Sequence, residues 1–288
     1  MAPKFPSAWQ TVAPSFQLRY SNVDGQLRAQ GYDRKDTIDI PVEWAFGAGD
    51  QAVTFVTRIN EDWYLEHHHT WYSAIAKMAA TAGHEALAPK TLAEAIGLPY
   101  KTTDPNTGIL GCFECHSTGP VRISGDHVLV PTEPGVHCEA CHGEGARHIA
   151  DPARKTIQNP KRLSAAELNT ACGRCHRPPA SNGAHIDWNF AWNVRHQPVY
   201  LSQSACFLKS EGKLSCLTCH DPHTPLNRYA GAYNARCSAC HAKPKHTTAE
   251  ARTNCVDCHM PAVSPQPPLR FTNHWIGIYG NGAKLRPR

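Results

Sequence analysis

The chain has little of the material that usually fills a hydrophobic core. Its 288 residues include eight Phe and three Met, against 23 Pro and 20 Gly. A chain of this length would ordinarily bury a large core of apolar side chains. The shortage predicts that something other than side chains fills much of the interior.

Long apolar stretches are also missing. A helix that crosses a membrane needs about 20 consecutive, mostly apolar residues, and no such run occurs in the chain. The segment from Met1 to Gln10 has one Lys and no apolar region of the kind that a signal peptide carries. We therefore expect no membrane span, and expect any export signal to be absent from this version of the chain.

Cysteine, by contrast, is abundant and regularly spaced. Twelve of the 13 Cys form six CxxC pairs, and a His follows each pair directly. Only Cys206 lies outside these pairs. The six CxxCH motifs, in chain order, are Cys112, Cys115 and His116; Cys138, Cys141 and His142; Cys172, Cys175 and His176; Cys216, Cys219 and His220; Cys237, Cys240 and His241; and Cys255, Cys258 and His259.

The spacing of the motifs suits covalent attachment of haem c. The two thiols add to the two vinyl groups of one porphyrin, and the His that follows lies under the iron as its proximal ligand. Zinc is the alternative, because two CxxC pairs make one four-thiolate site, but zinc gives no reason for a His after every pair. The motifs predict six haem c groups, held by the twelve Cys, with the six motif His as proximal ligands.

Haem attachment also bears on charge and compartment. The formal net charge of the polypeptide is +5. Each ferric haem with two ionised propionates adds about −1, so six haems bring the oxidised protein near neutrality. This gives no electrostatic support for a nucleic-acid partner. Because CxxCH haems are attached outside the cytoplasm, we expect a periplasmic or extracellular protein.

The fold class expected is a multihaem cytochrome c with little regular structure, short helices around a packed haem core, and a small N-terminal antiparallel β region. Between 13 and 39 residues separate one motif from the next, too few to wrap a separate fold around each haem. We expect residues 1–108 to form a haem-free, β-rich region that supplies a distal ligand. Residues 109–288 would form the hexahaem region.

Local patterns predict the elements of the N-terminal region. The turn Asn22 to Gly25 and the turn Gly47 to Asp50 are both flanked by segments of strand character, which predicts two hairpins. The segment from Trp71 to Ala82 and the segment from Thr91 to Gly97 have the pattern of short helices.

Several runs in and around the motifs match those of a known family. They are YSAIAKMAATAGH (72–84), GVHCEACHGEGARH (135–148), SACF (204–207) with LTCHDPH (217–223), and CVDCHMP (255–261) with TNHWI (272–276). These runs resemble the cytochrome c554-like family of multihaem cytochromes. The resemblance implies a largely bis-His electron-transfer protein, related in haem arrangement to nitrite reductases and hydroxylamine oxidoreductases. The chain departs from the family pattern at His196, in RHQPVY, where an aromatic residue is more usual.

Each iron needs a second axial ligand unless it is kept open for chemistry, and the usual choices are His and Met. Of the three Met, only Met78 is placed to serve, so we expect His on most irons and low potentials. Position and resemblance together favour five distal ligands, namely His84, His148, His223, His246 and His274. Ligands so close to a motif are expected to serve a neighbouring haem. The candidates for the sixth distal ligand are His137, His196 and His68.

Three functions are compatible with these features. The favoured one is an electron carrier, not an enzyme, whose partners are other redox proteins; no CxxCK motif of the nitrite reductase type occurs. The second is an oxidoreductase that acts on a small nitrogen or sulfur compound at one open or Cys206-ligated haem. The third is a homopolymer, in which subunits join end to end as an extracellular filament.

Overall fold

The computed structural model describes residues 9–102, 108–154, 156–179, 185–242, 244–246 and 254–288. The chain divides into two compact units, Met1–Ala140 and Cys141–Arg288. We call them the β-rich unit and the helical unit. Their boundary falls inside the second CxxCH motif. The expected division at 108/109, which separates motif-free from motif-containing sequence, stays a prediction.

The β-rich unit begins with a four-stranded antiparallel sheet in which neighbouring strands follow one another along the chain. Asp24 and Gly25 connect the second and third strands, and both have positive φ angles, of 51° and 83°. Asp-Gly is favoured in such a hairpin turn because both central residues must adopt left-handed conformations. This hairpin confirms the first turn prediction. The strands are β1 (Gln10–Ala13), β2 (Phe16–Val23), β3 (Gln26–Tyr32) and β4 (Thr37–Pro41).

A second sheet of six strands follows, in the order β10-β7-β6-β8-β9, with β5 also paired to β6. Pairing of Phe46 with Thr54 closes the second predicted hairpin, across the Gly47 to Asp50 turn. Thr91 caps the helix α1 by accepting a hydrogen bond from the Glu94 N–H at 3.2 Å. The elements are β5 (Trp44–Phe46), β6 (Ala52–Arg58), β7 (Trp63–His67), β8 (His69–Tyr72), β9 (Lys77–Ala80), α1 (Leu92–Ile96) and β10 (Gly97–Lys101).

The helix predicted between Trp71 and Ala82 is wrong, because this segment forms the β8–β9 hairpin. Trp71 pairs with Met78 across the hairpin, and Ala76 turns the chain with a φ of 48°. Alanine favours helix, but β8 also pairs with β6, and the hairpin buries Tyr72 and Met78. Tertiary packing therefore overrides local propensity, and Met78 is a core residue of the β-rich unit.

The two sheets share a core. Tyr20 of the first sheet packs with Phe55 and Met78 of the second. Leu18, which lies on the same face of β2 as Tyr20, packs against Leu65 of β7 and Ile96 of α1. Burial of these apolar side chains is the main stabilising contribution in this unit.

The first CxxCH motif packs against the second sheet in a separate apolar cluster. It lies on α2 (Ile109–Cys115), whose Ile109 and Phe113 are buried against Val56 and Tyr64 of the second sheet. A two-stranded ribbon, β11 (Ser117–Ile123) and β12 (Leu129–Pro134), follows the motif. The Leu129 N–H donates a hydrogen bond of 2.9 Å to the Tyr64 hydroxyl and ties the ribbon to the sheet.

The helical unit consists of short helices joined by irregular segments. Its apolar core contains Val194, Val199, Tyr200 and Val263, with Trp188 and Trp275 packed around them. Among the described residues, no helix combines the length and the apolar character needed to cross a membrane. Its elements are α4 (Ala146–Ala150), α5 (Ala165–His176), α6 (Gln197–Leu201), α7 (Ala205–Leu208), α8 (Cys216–Cys219), α9 (Asn234–Ser238), α10 (Cys255–His259), β13 (Ala262–Val263) and β14 (Phe271–Thr272), and α3 (Glu139–His142) spans the boundary between the units.

The fold class is therefore confirmed in its secondary structure, with short helices and an antiparallel β region at the N-terminus. The packed haem core stays a prediction.

Candidate haem sites

The CxxCH motifs lie on or at the ends of short helices. Helical geometry places side chains three residues apart on one face, so the two thiols of a motif point to the same side. On α8, for example, Cys216 and Cys219 are the first and last helical residues, and His220 follows directly. None of the 13 Cys, all of which lie in the described ranges, forms a disulfide. This donor set fits thioether attachment of haem c.

In three of the six motifs the second Cys is more open to solvent than the first. Cys175, Cys240 and Cys258 are exposed, whereas the first Cys of each of those three motifs is half-buried. In the second motif both Cys138 and Cys141 are exposed. The thiols are thus accessible for reaction with a porphyrin, and covalent attachment at these positions stays a prediction.

Three motif His side chains have a hydrogen-bond acceptor at Nδ1. Nδ1 of His142 donates to the Gln158 carbonyl oxygen at 2.8 Å, and Nδ1 of His259 donates to the Gly277 carbonyl oxygen at 2.9 Å. Nδ1 of His176 lies 3.1 Å from the side-chain oxygen of Gln197. A protonated Nδ1 leaves the lone pair on Nε2, which is the arrangement of a metal-ligating imidazole. These three His therefore fit the role of proximal ligand.

The motif His of the first and fifth motifs are both exposed. The N–H of His116 donates to the Cys112 carbonyl oxygen at 3.0 Å, and its ring centroid lies 5.5 Å from that of Phe46. The N–H of His241 donates to the Cys237 carbonyl oxygen at 2.9 Å. Each of these hydrogen bonds continues the turn of its own motif and keeps the His next to the two thiols. The proximal role of His116 and His241 stays a prediction.

Three of the predicted distal His lie beside the motif His of a different motif. The ring centroids of His142 and His223 are 6.0 Å apart. Those of His220 and His274 are 6.2 Å apart. Those of His246 and His259 are 5.8 Å apart.

These separations have the length that one shared metal ion requires. A metal–imidazole bond is about 2 Å long and the ring centroid lies about 1 Å beyond the nitrogen, so two imidazoles on opposite sides of one ion have centroids about 6 Å apart. The three pairs therefore match the spacing of bis-His ligation. Each pair also joins a motif to a His that follows another motif, as expected for ligands that serve a neighbouring haem.

His274 is the most firmly held of these candidates. Its Nδ1 donates to the Thr272 carbonyl oxygen at 2.9 Å, which leaves Nε2 for the pair with His220. Burial lowers the pKa of His274 to about 4 and also lowers the pKa of His220. Both rings are therefore neutral at physiological pH, the state in which imidazole binds iron.

The turn that carries His274 is fixed by two fully buried side chains. The Ser204 hydroxyl donates to the His274 carbonyl oxygen at 3.0 Å and accepts from the Ile276 N–H at 2.7 Å. The Asn273 amide donates to the Lys284 and Leu285 carbonyl oxygens at 2.8 and 3.0 Å. The SACF run drew attention to Cys206 and left Ser204 unpredicted, and no local pattern signals this role because the partner lies 70 residues away.

We expect Ser204→Ala to lower the free energy of unfolding by about 1–3 kcal/mol, because it removes two buried hydrogen bonds, each with a net contribution of about 0.5–1.5 kcal/mol. Cys206→Ser, two residues along, is the matched control. It should leave the Soret and near-infrared absorption unchanged, since burial raises the pKa of the Cys206 thiol and disfavours the thiolate. Denaturant unfolding and absorption spectra measure both effects. A changed Cys206→Ser spectrum would make this thiol a ligand.

The β-rich unit brings together two other candidates, His68 and His84, whose ring centroids are 5.8 Å apart. Nε2 of His84 lies 3.2 Å from a carboxylate oxygen of Glu66. Nδ1 of His84 and Nδ1 of His68 are buried and have no hydrogen-bond partner among the described residues. Burial lowers the pKa of His68 to about 4. Among the described residues, no group of three or more His, Cys, Asp or Glu side chains is arranged to hold a metal ion by itself.

The adjacent His67 has a structural role. It is fully buried, and its Nε2 lies 2.8 Å from the Thr57 hydroxyl while its Nδ1 lies 3.4 Å from the Tyr20 hydroxyl. Both ring nitrogens are therefore occupied. Burial lowers the pKa of His67 to about 3, so it stays neutral in the core.

The remaining candidates have different surroundings. His148 on α4 is half-buried, and its Nδ1 finds no hydrogen-bond partner in the described part of the chain. Nε2 of His137, by contrast, donates to the Pro134 carbonyl oxygen at 2.8 Å. His196 is half-buried, and burial lowers its pKa to about 4, with Arg177, Arg195 and His176 contributing through their charges.

Comparison with known proteins shows which proteins the chain is similar to. No protein-family model matches it. It is 27% identical over 173 residues to the multihaem cytochrome MtrA of Shewanella baltica, across 54% of this chain and 46% of that protein. It is 23% identical over 204 residues to the C-type polyhaem cytochrome OmcC of Geobacter sulfurreducens, across 53% of this chain and 26% of that protein. Its relatives are multihaem c-type cytochromes.

Two solved structures are also similar to the chain, with lower sequence identity than the curated relatives. The outer cell wall cytochrome OcwA has a TM-score of 0.46 and 16% identity, over 78% of this chain and 65% of that one. The undecahaem cytochrome from the S-layer of Carboxydothermus ferrireducens has a TM-score of 0.43 and 17% identity, over 76% and 44%. The chain spans less than half the length of either curated relative. The curated relatives are multihaem cytochromes, which supports the predicted class, and the cytochrome c554-like assignment stays a prediction.

Proposed function

We propose that the protein is a hexahaem c-type cytochrome, with His on both sides of most irons, that passes electrons between redox partners outside the cytoplasm. The observation that carries this proposal is the set of three His pairs, each joining two motifs, with ring centroids 5.8 to 6.2 Å apart. Bound haem supplies one-electron chemistry at its iron.

The chain's own residues attach and orient the haems in this proposal. The twelve motif Cys hold the haems covalently. Hydrogen-bond acceptors at Nδ1 fix the ring orientation of the proximal His142, His176 and His259. His223, His274 and His246 would hold the second, fourth and sixth haems together with His142, His220 and His259. This cross-bracing ties segments up to 81 residues apart in the chain, since His142 pairs with His223.

The remaining distal ligands follow from the surroundings of the candidates. We assign His84 a distal role, because Glu66 at its Nε2 is the carboxylate contact that commonly orients a ligating His. We place it at the first haem, because the first motif lies entirely within the same unit as His84. Its buried Nδ1 would then bind the iron. His148 stays a proposed distal ligand, because its Nδ1 is buried and has no hydrogen-bond partner among the described residues. For the sixth ligand, His196 and His68 stay candidates, and His137 is disfavoured because its Nε2 already donates to a carbonyl oxygen.

The proposed compartment is periplasmic or extracellular, because covalent haem attachment takes place outside the cytoplasm, and the partners are other redox proteins. An iron with two imidazoles has no open position for a substrate, which favours a carrier over an oxidoreductase. The raised pKa of Cys206 disfavours a thiolate ligand as well. The extracellular filament stays an untested alternative.

The test is electron paramagnetic resonance of the oxidised protein, with the haem count fixed by intact mass. We expect six haems, every iron low-spin, and no change on addition of nitrite, hydroxylamine or sulfite. A high-spin iron that shifts with one of these compounds would make the protein an oxidoreductase instead. A mass with fewer than six haems would overturn the hexahaem assignment.

A further inference from the structure

Two of the six motifs share a feature outside CxxCH. An Asn lies three residues before the first Cys of the third motif, Asn169, and of the fifth motif, Asn234. The runs are NTACGRCH (169–176) and NARCSACH (234–241). The corresponding positions of the other four motifs hold Ile, Gly, Lys and Arg.

Asn169 is buried and contacts the next motif along the chain rather than its own. Its side-chain oxygen accepts a hydrogen bond of 3.0 Å from the Cys216 N–H, and the Cys216 thiol lies 3.2 Å from the same oxygen. Its amide nitrogen donates to the Leu214 carbonyl oxygen at 3.3 Å. Asn169 on α5 thus satisfies one of the N–H groups that the start of α8 leaves without a helical partner.

Asn234 repeats this contact between the fifth and sixth motifs. Its side-chain oxygen accepts a hydrogen bond of 3.0 Å from the Cys255 N–H, the first residue of α10. Its amide nitrogen lies 3.4 Å from the side-chain oxygen of Asn254. In both cases the same atom of the same residue type, at the same position before one motif, binds the first Cys of the following motif.

The first Cys side chains of the paired motifs are also neighbours. Those of Cys172 and Cys216, in the third and fourth motifs, lie within interaction distance of each other. The same holds for Cys237 and Cys255, in the fifth and sixth motifs. The neighbouring side chains are therefore those that carry the haems, and this arrangement occurs twice.

We propose that Asn169 and Asn234 are positioning residues that dock the third motif on the fourth and the fifth on the sixth, so that these four haems form two equivalent close pairs. This inference rests on the proposed function, because it requires haem at all four motifs. The first-Cys thioethers of the two haems in each pair would be neighbours. Such pairing places two cofactors where an electron passes directly between them.

Circular dichroism in the Soret band tests the pairing, because neighbouring haems produce a split signal whose amplitude depends on their separation and angle. We expect Asn169→Ala and Asn234→Ala each to lose part of this amplitude while intact mass still gives the full haem count. Because the two contacts share no residue, the losses should add in the double variant. Asn189→Ala, an exposed Asn of the same unit, is the matched control and should leave the split signal unchanged.

Asn234→Asp separates positioning from folding, since a carboxylate keeps the acceptor for the Cys255 N–H. We expect it to retain the split signal that Asn234→Ala loses. An unchanged amplitude in both Ala variants, or equal losses in Asn234→Asp and Asn234→Ala, would overturn the inference. A parent protein with fewer than six haems would instead contradict the proposed function, so the two failures are distinguishable.

Discussion

In the proposed hexahaem protein, we expect His274→Ala to convert one iron from low-spin to high-spin. The ring of His274 lies 6.2 Å from that of His220, and its Nδ1 is held by the Thr272 carbonyl. Alanine removes the second imidazole and leaves that iron with one protein ligand. Electron paramagnetic resonance should lose about one sixth of its low-spin intensity and gain a high-spin signal, and the reduction potential of one haem should shift.

The iron position that His274→Ala leaves vacant allows a second measurement. Free imidazole should restore the low-spin signal of His274→Ala, and carbon monoxide should bind the reduced variant but not the parent protein. His185→Ala removes an exposed His of the same unit and serves as the control, with no spectral change expected. If His274→Ala keeps all its low-spin intensity, the assignment of His274 to the fourth haem is wrong.

Phe113→Ala will destabilise the β-rich unit by about 3–5 kcal/mol, the usual cost of truncating a buried aromatic residue. Phe113 is 1% exposed. Its ring centroid lies 4.9 Å from that of Trp44, 5.0 Å from that of Phe46 and 5.6 Å from that of Tyr64. The truncation removes all three aromatic contacts and leaves a cavity between α2 and the second sheet.

Denaturant unfolding followed by far-ultraviolet circular dichroism measures this loss. Glu114→Ala, at the next position and exposed, is the control and should stay within about 0.5 kcal/mol of the parent. The experiment also bears on the division of the chain. A loss in Phe113→Ala no larger than in the control would mean that the first motif is not part of the β-rich core, as a boundary at 108/109 would require.

The fold was predictable where local rules decide it. Asp24 and Gly25 adopt the left-handed conformations that their hairpin requires, and Thr91 caps α1 as a polar residue before an apolar helix should. The prediction failed at Trp71 to Ala82, where alanine-rich sequence favours helix. The segment forms strands there because β8 pairs with β6 and because the hairpin buries Tyr72 and Met78. Neither interaction can be read from the sequence of the segment alone.

The sequence by itself determined the chemistry of this protein. A CxxCH motif is local, because two thiols and an imidazole within five residues reach one porphyrin without help from the rest of the chain, so six motifs predict six haems. Only the tertiary structure decided which residues from distant segments meet. It brought His274 to His220, Ser204 to the His274 turn and Asn169 to Cys216. These contacts join residues 47 or more positions apart, and their partners are selected by packing and by hydrogen bonding of buried groups, which leave no periodic signal in the sequence.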